Sequence, residues 1–178
     1  MTTAADLIGL TPASDDEAMD YALQMAAAAA DVGEVPVGAV IVMDGRIIGA
    51  GANAPITTLD PTCHAEVAAI RDAAARIGNY RLSGATLYVT VEPCSMCAGA
   101  IVHSRVGRVV YGTTEPKAGV AVSAESFFSK PFLNHVVEVE GGVRAERCSA
   151  VMTEFFSRRR EGKKRLKEAT RSSGQSQD

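Results

Sequence analysis

The chain has 178 residues, 47% hydrophobic and 22% charged, with a net charge of −3. That length suits one domain with a proper core, and the composition excludes a disordered or fibrous chain. No stretch approaches the ~20 apolar residues needed to cross a bilayer, and the start "MTTAADLIGLTPASDDEAM" lacks the basic and apolar segments of a secretory signal; a cytoplasmic protein with no membrane contact is expected.

Residues 1–14 are read as a flexible lead. Residues 15–31, "DDEAMDYALQMAAAAAD", predict a helix: acidic residues lead, Ala, Leu and Met follow, and Gly33 stops the run. Two apolar runs then flank Asp44-Gly45, a hairpin signal, and 53–62 reads as a loop. "DPTCHAEVAAIRDAAARIG" predicts a helix capped by Asp60, opened by Pro61 and ended by Gly78. The β-rich run at 85–91 suits a buried strand. A helix opened by Pro93, a strand within 105–112, a loop-rich stretch over 113–134, a strand in "HVVEVEGG" and an amphipathic helix over 144–168 follow. The tail 169–178 reads as disordered. Residues 15–168 therefore form one α/β layered domain with a mixed sheet.

Charge is uneven. Residues 158–178 carry eight basic side chains against three acidic ones, a net +5, which leaves −8 on the rest. Such an end attracts a polyanion or is simply a solvated helix.

Four cysteines in a reducing compartment point to metal or catalysis rather than disulfides. Cys94 and Cys97 form a P-C-x-x-C pair, and His64 and Glu66 form H-x-E thirty residues earlier. A redox pair leaves H-x-E without a role. A structural zinc site needs a fourth ligand, and Cys148, after the last strand, reads better as a core residue. A catalytic zinc site uses three protein ligands and an open position, which His64, Cys94 and Cys97 supply. Cys94 and Cys97 share one face at a helix N-terminus, where thiolates are favoured. His64 must occupy an irregular first turn, because residues two apart on a helix do not face each other. Glu66 is then a proton shuttle: zinc lowers the pKa of its water to about 7, and hydroxide attacks an amidine carbon of a heterocycle.

H-x-E with P-C-x-x-C is the signature of the zinc-dependent nucleoside and nucleobase deaminases. "EVPVGAVIV", "NAPITTLDPTCHAEVAAIR", "NYRLSGATLYVTVEPCSMCAGAIVHSRVGRVVYG", "NH" at 134–135 and "FFSRRR" at 155–160 resemble the bacterial tRNA adenosine deaminases of the cytidine/deoxycytidylate deaminase family over residues 15–167. The resemblance implies a three-layer α/β/α cytidine-deaminase-like fold with a mixed five-stranded sheet, one Zn2+ per subunit and a homodimer. It implies conversion of wobble-position adenosine to inosine in a tRNA anticodon stem-loop. It further implies that Asn53 hydrogen-bonds the flipped base, that Asn134 and His135 lie near the anticodon loop, and that Phe156, Arg159 and Arg160 sit on an RNA-contacting helix. Glu115 replaces the usual Asp ahead of Lys117, the RNA-contacting lysine. Cys63 stands where the family has Ala, and reads as a passive small residue. Competing readings are a free guanine or cytosine deaminase, which has no need of the basic helix, and an inactive RNA-binding paralogue, which has no need of intact His64, Glu66, Cys94 and Cys97.

Overall fold

The computed structural model describes residues 2–174, with side chains to Arg165. Five strands form one sheet in the order β2-β1-β3-β4-β5: β1 Gly38–Met43, β2 Arg46–Ala52, β3 Thr86–Val91, β4 Arg108–Thr113 and β5 Glu138–Gly141. β1 is antiparallel to β2 and β3, while β3, β4 and β5 run parallel, so the sheet is mixed as expected. The β1–β2 hairpin turns at Asp44-Gly45, both at positive φ (50° and 73°), as a tight two-residue hairpin turn requires.

Helices cover both faces. α1 (Ala4–Leu7), α2 (Asp15–Asp31) and α6 (Ala145–Gly174) lie on one face, and Met19, Ala22, Val40, Tyr88, Val110 and Cys148 fill that core. α4 (Ala65–Ile77) and α5 (Ser95–His103) lie on the other, where Ile70 and Ile101 pack over Ile41, Leu87, Val89 and Val109. α3 (Pro55–Thr58) is a single short turn after β2. The three-layer α/β/α arrangement follows, because β3 and β4 are apolar on both faces and must be covered twice.

Four expectations need correction. From Thr3 the lead is docked rather than loose: Thr3 and Asp6 form a capping box, Leu7 is buried, and Gly9 and Leu10 exchange backbone hydrogen bonds with Ile47. The loop over 53–62 contains α3. The helix expected from Asp60 starts at Ala65, because the Asp60 carboxylate instead accepts from the Thr62 N–H (2.8 Å) and hydroxyl (2.7 Å), closing an Asx turn. The last helix continues past 168 to Gly174; residues 175–178 of the expected tail lie outside the described residues.

Candidate metal centre and substrate pocket

The site lies at the carboxyl ends of β3 and β4, the usual place for ligands on parallel strands. Close packing brings α4 to it. A Cβ on Gly51 would lie 2.4 Å from the Ala65 carbonyl oxygen and 2.5 Å from the Ala69 nitrogen, so only glycine lets β2 and the first turn of α4 touch.

His64 is the N-cap of α4, with extended backbone (φ −79°, ψ 157°). This resolves the spacing problem: His64 leaves the chain before the helix begins, and Glu66 leaves within its first turn. Cys94 holds the same N-cap position on α5, and Cys97 lies in the first turn beyond it.

The His64 Nδ1 lies 3.7 Å from the Cys94 Sγ and 3.6 Å from the Cys97 Sγ. The three donor atoms are all within 4.8 Å of one another and form a group able to hold a metal ion. A tetrahedral zinc ion with ordinary Zn–N and Zn–S lengths would hold nitrogen and sulfur about 3.6 Å apart. The donor set and its spacing therefore fit zinc. Neither Cys63 nor Cys148 belongs to the group. Cys148 is buried against Gly112, and burial pushes its thiol up to about 11, as befits a core residue.

The electrostatics agree with one resident thiolate. The Cys97 thiol hydrogen-bonds Cys94 and, with His64 and the Cys97 N–H, pulls the Cys94 pKa down to about 4 against the opposing effect of burial. That hydrogen bond to Cys94, followed by burial and the nearby Glu66, drives Cys97 the other way, above its ordinary value. The Cys94 hydrogen bond also raises His64. Glu66 is 4% exposed, and burial is the main cause that pushes its carboxyl up to about 7. A carboxyl of that kind can hold or release a proton near neutrality.

A pocket of about 340 Å³ opens over this centre, and Asn53, His64, Glu66, Cys94, Glu115 and Phe156 all line it. Asn53 is buried, and its Oδ1 accepts the Ala65 N–H at 3.1 Å, which turns the amide nitrogen away from the helix. Phe156 is partly exposed and stacks edge-to-face on Phe155 (centroids 5.5 Å apart). Phe155 instead faces α2 with Ala27 and Ala30.

The remaining predicted residues lie around this pocket or apart from it. Arg160 lines a neighbouring cleft that shares Val91, Glu115, Met152 and Phe156 with the pocket. Arg159 faces away, towards Asp31 and the end of α2. Lys117 is exposed, and its N–H donates to the Glu115 carboxylate at 3.0 Å. Asn134 accepts from Arg105 at 2.7 Å, and the His135 ring bonds the Val106 carbonyl oxygen at 2.7 Å. Neither lines the pocket.

Two buried carboxylates escaped the sequence reading. Glu34 accepts the Thr57 N–H (2.7 Å) and hydroxyl (2.8 Å), which caps α3 and holds Pro55 in the pocket wall. Glu92 lines the pocket and accepts four hydrogen bonds from the segment that follows β4. The signal was present at Glu92: a charged residue closing the apolar run 85–91 has to find donors.

Comparison with known proteins agrees with this geometry. Residues 13–160 match the family model of the MafB19-like deaminases. The tRNA-specific adenosine deaminase of Haemophilus influenzae is 52% identical over 151 residues, covering 84% of this chain and 87% of the relative. A solved structure from studies of A-to-I editing by tRNA:A34 deaminases at the wobble position of transfer RNA superposes with a TM-score of 0.74 at 43% identity, covering 75% of this chain and 97% of the other. The guanine deaminase structure from Bacillus subtilis is 37% identical with a TM-score of 0.56, over 70% of this chain and 83% of the other. The signature residues, the pocket they build and these likenesses agree: the chain belongs to the MafB19-like deaminase family and, within it, to the tRNA-specific adenosine deaminases.

Proposed function

We propose that this chain hydrolytically deaminates adenosine to inosine at the wobble position of a tRNA anticodon loop, as a cytoplasmic homodimer holding one zinc ion per subunit. The observation that carries the reading is the buried Glu66 beside a three-donor centre, at the base of a pocket bordered by Phe156 and a cleft holding Arg160. A deaminase of free bases has no need of that basic helix.

His64, Cys94 and Cys97 would hold zinc. When bound, the ion supplies Lewis acidity that lets water ionise near neutral pH. Glu66 takes the proton from the attacking water and delivers it to N1 of the purine. It then takes the second proton from the hydroxyl now bonded to C6 and passes it to the C6 amine, so that the C–N bond breaks, ammonia leaves and the carbonyl forms. Its burial keeps bulk water from competing for that proton.

Asn53 presents its amide N–H groups to the base while its oxygen keeps α4 in place. Phe156 offers an aromatic edge or face at the pocket mouth, where a neighbouring base can stack. Arg159, Arg160 and Lys117 supply phosphate contacts, and Asn134 and His135 lie near the anticodon loop. Glu115 has spent one oxygen on the Lys117 N–H and keeps acceptor capacity for a ribose hydroxyl. An anticodon loop delivers its base already unstacked, which removes a cost of a few kcal/mol.

The test is inosine formation in a transcribed anticodon stem-loop, run beside ammonia release from guanine and cytosine, with zinc measured on the same sample. Inosine with about one zinc per chain is expected. Turnover of a free base without inosine, or RNA binding without any reaction, would overturn the proposal.

A further inference from the structure

β3 and β4 are parallel neighbours, and the chain leaves both at the same edge of the sheet. From β3 it passes through Glu92 and Pro93 to Cys94; from β4 it passes through Thr114 to Glu115, Ala118 and Gly119. Glu92 spans the gap between these two exits. Its N–H continues the ladder to the Thr113 carbonyl at 2.9 Å. One carboxylate oxygen accepts the Val122 N–H (2.8 Å) and the Ser123 N–H (2.9 Å). The other accepts the Glu115 N–H (3.0 Å) and the Ser123 hydroxyl. Four donors on two oxygens need a group that only accepts, which means an ionised carboxylate and not an amide.

The surrounding backbone is shaped to this contact. A Cβ on Gly119 would stand 2.5 Å from the Glu92 carboxyl carbon and 2.6 Å from the Glu115 carbonyl oxygen. Gly119 forms an isolated β-bridge with Cys94, and the Val120 N–H donates to the Pro93 carbonyl at 2.9 Å. The stretch 115–123 is thus pinned at both ends to the Glu92 side chain and in the middle to the backbone of Pro93 and Cys94. Glu115 and Ala118, on that segment, line the pocket.

We propose that Glu92 is a positioning residue, which locks segment 115–123 onto the exit of β3 so that the wall formed by Glu115 and Ala118 stands at a fixed place beside Cys94. It acts through that wall on substrate capture and takes no part in the proton transfers. The reading of the substrate as RNA rests on the function proposed above; the anchoring itself does not.

The test compares the zinc-loaded enzyme with Glu92→Gln and Gly119→Ala, which disturb the same contact from its two sides. Gln places an amide nitrogen against N–H donors, and Ala pushes the backbone off the carboxylate. With an anticodon stem-loop as substrate, both variants are expected to keep about one zinc per chain, raise KM about tenfold or more, and hold kcat within about threefold. The double variant should be no worse than the poorer single one, since one contact is lost only once. An unchanged KM, a fall in kcat alone, or loss of zinc from a soluble variant overturns the proposal. Amide hydrogen exchange reads the anchoring without turnover. Exchange at Glu115, Val122 and Ser123 should be at least about tenfold faster in either variant, and unchanged protection there overturns the proposal. If the wild-type enzyme makes no inosine, the substrate assignment fails and the exchange data alone decide the role of Glu92.

Discussion

The Asn53 side-chain oxygen accepts the Ala65 N–H at 3.1 Å, so the residue that ends the hairpin also caps the helix carrying Glu66. Its two ends have separable jobs. Asn53→Asp keeps an acceptor at the helix N-terminus and should fold with near wild-type stability, while losing the donor that faces the base. Asn53→Ala loses both, and should cost about 1 kcal/mol of stability as well as activity. Thermal melts beside kcat/KM on a stem-loop separate the two effects. Equal activity in the Asp variant and the wild type would show that the amide donor plays no part.

Glu66→Gln should hold zinc and lose turnover by about 10²–10⁴-fold, the range for removing a general acid–base. Metal analysis and single-turnover rates check this. A metal-free variant would make Glu66 a ligand.

Arg160 lines the cleft that adjoins the pocket, and Arg159 points towards Asp31. Arg160→Ala should therefore weaken stem-loop binding more than Arg159→Ala. Each lost phosphate contact should lower the slope of log K against log salt by about 1. A salt titration of binding decides, and identical slopes in both variants and the wild type would place these arginines in solvent.

Arg108 pairs with Asp15 at 2.6 Å and with Glu140, and Tyr88 donates to Asp15 at 2.6 Å. The Arg108 hydrogen bond holds the Asp15 carboxyl below its ordinary value against opposing burial. A depressed folded-state pKa stabilises fully above the unfolded value and less as pH falls through the folded one. Urea unfolding of Asp15→Asn should show a loss of about 1 kcal/mol at pH 7, a modest figure because the pair is partly solvated. The gap to wild type should close as the pH falls through the lowered folded-state value, below the ordinary aspartate pKa of about 3.9. A gap that persists there would assign the effect to packing.

Gly51→Ala would drive a methyl group into the first turn of α4. It should destabilise by about 1–3 kcal/mol and shift His64 enough to weaken zinc retention. Melting temperature and zinc content after dialysis report both effects.

The group of three donors able to hold a metal ion was legible in the sequence because its chemistry is dense: H-x-E and P-C-x-x-C name residue types that few other arrangements need. The start of α4 was not. Asp60-Pro61 is a fair helix opening, but the Asp60 side chain bonded Thr62 first, and the cap passed to His64. Glu34 and Glu92 were missed for a different reason. Their partners are mostly backbone N–H groups some 23 to 31 residues away, with one hydroxyl each from Thr57 and Ser123, and no side-chain pattern marks a backbone donor.

The pairing of Ala39 with Val89 puts the beginning of β1 beside the pocket edge, so the hairpin tip at Asp44-Gly45 emerges at the opposite rim of the sheet. Asp44, Gly45 and Arg46 are all exposed there. A tag or a second protein grafted at that tip would hang clear of the catalytic mouth, leaving a bulky nucleic acid free to approach from the other side.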